Sequence, residues 1–134
     1  MPNPEIEEFA SPEIEEFAKL PVQEVRDSAI RSCEISLRPS AADPIAKRWK
    51  EAAARDPESF AKVVISDVVD DTIFQLLQAI DGELVKLSFT ASNGKTVDLT
   101  AEGLGELGGW YAGIPGWRSM YSQERFIDDY SDLR

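Results

Sequence analysis

The sequence contains no histidine and only one cysteine, Cys33. Without histidine the chain lacks the usual general base near neutral pH and the commonest metal ligand. Ser-His-Asp and Cys-His catalytic arrangements are therefore excluded within one chain. A lone cysteine likewise excludes an internal disulfide and a cysteine-based zinc site within one chain. Cys33 falls on an expected helix and reads as a small buried apolar residue, since only Arg31 nearby would favour its thiolate. Positive charge is scarce as well: 14 Lys and Arg stand against 25 Asp and Glu, a formal net charge of −11. Such a surface repels nucleic-acid phosphate and anionic lipid, and suits a basic protein partner or plain solubility. No apolar run reaches membrane-spanning length, and the N-terminus has neither the basic start nor the apolar middle of a signal peptide. The expected compartment is the cytoplasm, with neither nucleic acid nor membrane as a partner.

What is present suits one domain. A length of 134 residues with ordinary apolar content is enough for a core of its own. The densest apolar stretch runs from Asp56 to Leu99. Asp56 is a good N-cap and Pro57 suits the first helical position, so a helix is expected to start there. The β-branched runs Val63-Val64-Ile65 and Val68-Val69 also suit a strand, but the start signal and the length favour helix. Ile73, Phe74, Leu76, Leu77 and Ile80 continue it as a largely buried helix, and Asp81-Gly82 is its stop, with the glycine free to turn left-handed. Val85, Leu87 and Phe89 then alternate with Lys86, Ser88 and Thr90, the period of a half-buried strand. Asn93-Gly94 is a hairpin turn signal, and Val97 and Leu99 share a face on the return strand.

Toward the N-terminus, Pro4-Glu5-Ile6-Glu7-Glu8-Phe9-Ala10 recurs as Pro12-Glu13-Ile14-Glu15-Glu16-Phe17-Ala18. Each copy has a cap-and-proline start and places Ile, Phe and Ala on one face of a helical turn. Pro12 would break a helix through both copies, so the second is expected to pack and the first to be loosely held. The expected division is an acidic, flexible segment over residues 1–20 and one α+β domain over 21–134. Val22, Val25, Ala29, Cys33 and Leu37 mark the buried stripe of a surface helix. Asp43-Pro44 opens another helix, with Ile45, Trp49, Ala52 and Ala53 as its apolar face. Lys47, Arg48, Lys50 and Arg55 on it are expected to pair with carboxylates or face solvent.

Beyond the hairpin the composition shifts to glycine and large rings. Repeated glycine from Gly103 to Gly109 makes a poor helix or a loop. Trp110, Tyr111, Trp117, Arg118 and Tyr121 follow within a short span. Tyrosine and tryptophan offer rigid area with a hydrogen-bonding tip, and arginine adds a donor fork, so these five are the candidate binding residues. The competing reading is that the rings close the core over the hairpin. Ser122 is expected to cap a last short helix with Phe126, Ile127 and Tyr130 inward.

One constellation could support chemistry. Asp67, Asp70 and Asp71 share a helix face, and clustered carboxylates can hold a divalent metal in phosphate-processing enzymes. No paired Glu-x-x-Glu helices accompany them, and a solvated face or caps on a broken helix is the favoured account of them. No catalytic residue and no cofactor is assigned. The expected fold is α+β: N-terminal helices and a central apolar helix packed on a β-hairpin or small antiparallel sheet, with an aromatic C-terminal segment. The expected function is a small acidic protein that binds a macromolecular partner, of inhibitor or immunity type. The alternatives are a metal-dependent phosphate-processing enzyme or ligand-binding domain using the aspartates, and a structural subunit forming a homodimer.

Overall fold

The computed structural model describes residues 11–124. Helix α1 (Pro12–Leu20) begins where the Ser11 hydroxyl accepts from the Ile14 backbone N–H at 3.2 Å. The helix does not end at Pro21. It passes through a π-helical segment, Pro21–Arg26, into α2 (Asp27–Ser36). Proline has no N–H to donate and its ring crowds the carbonyl four residues back, and the wider π turn absorbs both defects. The boundary expected after residue 20 thus falls inside one continuous helical rod.

Helix α3 (Pro44–Arg55) and helix α4 (Pro57–Asp81) each start at a cap-and-proline pair. The Asp43 carboxylate accepts from Ala46 N–H at 3.2 Å, and that of Asp56 from Ser59 N–H at 2.8 Å. The β-branched run of α4 is helical throughout, because a strong start and packing against α2 and α3 override a weak strand preference. Gly82 ends the helix at φ −85°, and the left-handed residue is instead Glu83 at φ 63°. The turn is therefore displaced by one residue from the expected glycine.

Strands β1 (Ser88–Thr90) and β2 (Thr96–Asp98) pair antiparallel, with Phe89 opposite Val97. Gly94 sits at φ 86°, and the loop closes through Gly94 N–H to Ala91 C=O at 2.9 Å and Ala91 N–H to Lys95 C=O at 2.8 Å. This is a longer loop with one left-handed glycine, not the two-residue turn with both central residues at positive φ. The sheet is shorter than the alternation implies. Val85 is buried but precedes the strand, and Phe89 faces solvent. Leu99 leaves the return strand to open α5 (Leu99–Gly103), because the Asp98 carboxylate accepts from the N–H of Thr100 and Ala101 at 2.9 and 3.1 Å. Helices α6 (Leu107–Ala112) and α7 (Trp117–Tyr121) follow. The fold is α+β, with helices packed on a two-stranded antiparallel sheet.

Helix α4 is the hub, touching the π segment, α2, α3, α5 and α6. One cluster of the core joins Val25, Ala79, Ile80, Val85 and Leu107, and Ala46, Trp49 and Ala52 bury the inner face of α3. The face of α3 is thus turned by one position from the expected set, with Ala46 inside and Ala53 outside. Three further expectations need correction. Of the five residues expected to bury the second half of α4, Ile80 is buried and Phe74, Leu76 and Leu77 are partly so, but Ile73 is exposed and continues an exposed row with Ile65 and Val69. The second repeat copy is not packed: α1 contributes no buried residue. The stripe of α2 is covered at Val25 and Ala29 but not at its ends, Val22 and Leu37. The first repeat copy and the helix expected around Phe126, Ile127 and Tyr130 lie outside the described residues. Among the described residues no helix is long and apolar enough to cross a membrane.

Candidate functional site

Asp81 positions the aromatic segment. Its carboxylate accepts from the backbone N–H of Leu107 and of Gly108, each at 3.0 Å, and so caps the start of α6 from the last turn of α4. Gly108 permits the approach, because a Cβ there would lie 3.0 Å from the Phe74 ring. The glycine-rich stretch is therefore helical at Leu107–Ala112, held by a tertiary cap that outweighs poor helix propensity.

Asp70 then grips both aromatic helices. Tyr111 donates its hydroxyl to Asp70 Oδ1 at 2.9 Å, and Arg118 donates from its guanidinium to Asp70 Oδ2 at 3.0 Å. The side chains of Arg118 and Asp70 are 11% and 26% exposed, so the pair is mostly withdrawn from water. Burial and the adjacent Asp70 carboxylate push the Tyr111 hydroxyl up to about 12. Tyr111 therefore stays a hydrogen-bond donor at any physiological pH.

These contacts shape an open cleft of about 570 Å³ between α4 and the α6–α7 pair. Ile65, Ser66 and Val69 line one wall, and Tyr111, Trp117, Arg118 and Tyr121 line the other. Four of the five residues singled out in the sequence thus meet in one place. Trp110 is the fifth. It stands outside the cleft, with its ring 5.8 Å from that of Trp117 at a tilt of 57°. The two expected roles are divided among the rings: Trp117 packs against the core cluster, whereas Tyr121 is 72% exposed. Ile65 and Val69 were not expected at the site. Their four-residue spacing was visible in the sequence, but nothing there showed that this side of α4 stays uncovered.

Asp67, Asp70 and Asp71 do share one small cleft of about 210 Å³, yet each is turned to its own protein partners. Asp67 is buried and accepts from the Trp49 indole N–H at 2.7 Å and from the Arg48 guanidinium at 2.7 and 3.1 Å. Asp71 accepts from the Ser32 hydroxyl at 3.4 Å and the Cys33 thiol at 3.8 Å. Burial raises the Asp71 carboxyl above its usual range, against the hydrogen bonds from Gln75, Ser32 and Cys33. Burial and the Asp71 charge push the Cys33 thiol up to about 11, so it is held protonated and unreactive. Among the described residues no group of three or more acidic or cysteine side chains converges as a metal site would require.

A third cavity was not anticipated. It is an apolar groove of about 650 Å³, walled by the π segment and α2 on one side and by Phe60, Val64 and Val68 of α4 on the other. Trp49 and Cys33 also reach it.

Compared with known proteins, the chain matches no protein-family model, and no similar protein was found among curated proteins or solved structures.

Proposed function

We propose that the protein is a cytoplasmic binding module that recognises a macromolecular partner, of inhibitor or immunity type, through the cleft between α4 and the α6–α7 pair. The observation that carries this reading is the pairing of an exposed apolar row, Ile65 and Val69, with an exposed Tyr121 across a cleft in which Asp70 accepts from both Tyr111 and Arg118 of the facing wall. Rigid aromatic anchors beside an apolar strip are what binding hot spots use. A preformed wall also lowers the ordering cost of association. The net charge of −11 favours a partner with a basic surface, steering encounter and excluding acidic competitors.

The test uses residues that the core does not need. Affinity capture from lysate of the source organism, with wild-type chain as bait, should isolate a partner, whose binding is then measured by calorimetry. Tyr121→Ala and Ile65→Ser, both at exposed positions, should each weaken binding by about thirtyfold, the cost of truncating a hot-spot contact of about 2 kcal/mol. A partner bound equally well by both variants uses another surface and overturns the assignment.

A further inference from the structure

From Pro12 to Ser36 the chain is one helical rod, α1 running through the π segment into α2. Ile14, Phe17, Pro21, Val25, Ala29 and Cys33 follow one another at helical spacing along it. The part from Pro21 to Cys33 forms a wall of the 650 Å³ groove, facing α4. The part before it has no opposite wall. Ile14 is 59% exposed and Phe17 is 50% exposed. Among the described elements, α1 has the π segment as its one substantial neighbour. The molecule therefore carries an apolar groove and, beside it on the same rod, an apolar arm that its own groove cannot reach.

We propose that the groove receives α1 of a second copy of this chain, and that the exchange is reciprocal. Two rods laid antiparallel about a two-fold axis near Pro21 place each arm over the other copy's groove. The same patch then serves both subunits, which closes the assembly at a dimer. A standard interface of about 1,600 Å² would be shared among two arms and two grooves, about 400 Å² from each. Half-exposed Ile14 and Phe17 of α1, the adjoining Val22 of the π segment and the stems of neighbouring glutamates supply a face of that order. Arg26, exposed on the groove wall and already paired with Asp27 at 3.0 Å, would have to share its guanidinium to meet Glu13 or Glu16 of the incoming arm, whereas Glu34 on the same wall and the net charge of −11 oppose approach. Association is thus apolar in origin and tightens with added salt, which screens like charge between copies. The surface used is distinct from the α4–α6–α7 cleft, so it stands or falls separately from the proposed partner site.

Sedimentation equilibrium on the full chain tests this. Wild type should show a reversible monomer–dimer equilibrium, with dimerisation stronger at high salt. Ile14→Ser/Phe17→Ser changes two exposed side chains, and Ile30→Glu changes an exposed residue of the groove; both should be folded by circular dichroism and monomeric. A wild type that stays monomeric at all concentrations overturns the proposal, whether the groove is empty, filled by residues 1–10 of the same chain or reserved for a foreign helix. So does a dimer that survives the arm and groove variants.

Discussion

Asp70 and Arg118, 48 residues apart in the sequence, meet at 3.0 Å with most of both side chains withdrawn from water. The pair ties α7 to the central helix, and Tyr111 on the same carboxylate ties α6 to it. Removing the carboxylate would leave the Arg118 charge poorly compensated in a low-dielectric setting. Asp70→Ala is expected to cost about 2–3 kcal/mol, below the roughly 3–5 kcal/mol of a fully buried pair because a quarter of Asp70 is exposed. Urea denaturation measures the loss. Partner binding through the cleft should fall with it even in conditions where the variant remains folded, since both ring-bearing helices lose their anchor.

The neighbouring aspartates should behave differently, although the sequence presents the three as one cluster. Asp67 is buried against Arg48 and Trp49, with three donated hydrogen bonds from them. Asp67→Ala is expected to be the most damaging of the set, at about 3–5 kcal/mol. Asp71 is disfavoured as an anion by its burial. Asp71→Asn keeps an acceptor for Ser32 and removes that charge, so it should leave stability at neutral pH unchanged or higher. The sign of its pH dependence is distinctive. A raised carboxyl binds its proton more tightly in the folded state, so wild type gains stability as pH falls through that range. The difference between wild type and Asp71→Asn should therefore narrow on acidification, as chemical denaturation at several pH values would record.

Much of this architecture was legible because it rests on local chemistry. Asp43-Pro44 and Asp56-Pro57 start helices where an N-cap carboxylate and a proline say they should, and a left-handed Gly94 closes the hairpin. The site was legible in part. Composition picked out Tyr111, Trp117, Arg118 and Tyr121, but the anchoring of Tyr111 and Arg118 at Asp70 is a contact across 41 and 48 residues that no local pattern encodes. The same limit hid Asp81 as the cap of α6 and made its glycines read as a loop. Helix periodicity found the apolar faces of α1 and α4 but could not say which of them the fold leaves uncovered. That depends on how many elements are available to pack against them.

The link between α6 and α7 is tightest at Gly116. A Cβ at Gly116 would strike the Gly113 carbonyl oxygen and lie 2.7 Å from that of Trp110. Both obstacles are backbone, so neither can swing away as a side chain would. Gly116→Ala should therefore displace α7 and cost about 1–3 kcal/mol, the usual range for overpacking. Tryptophan fluorescence is the sensitive readout, since Trp110 and Trp117 flank the turn and face each other. A shift in emission with little loss of overall helicity would localise the damage to the site.

Alkaline pH should loosen the fold through two groups that resist ionisation. Burial and Asp70 hold the Tyr111 hydroxyl near 12, and burial and Asp71 hold the Cys33 thiol near 11. Both are raised above their values of 10.0 and 9.0 in the unfolded chain. The unfolded state therefore releases protons first as pH rises, and stability that is fully present below pH 9 declines through the raised values. Tyr111→Phe removes one of these titrations together with the bond to Asp70. It should be less stable than wild type at neutral pH, by about 1 kcal/mol for a lost hydrogen bond to a charged acceptor in a partly open site. Between pH 10 and 12 its stability should fall less steeply than that of wild type. Cys33→Ser retains a small side chain and raises no thiolate, so it should flatten the curve from the lower end, near pH 9. Parallel urea titrations of the three proteins separate the two contributions. Coincident slopes for wild type and Tyr111→Phe would show that the phenol ionises as freely in the folded protein as in the unfolded one, and that its bond to Asp70 does not persist in solution.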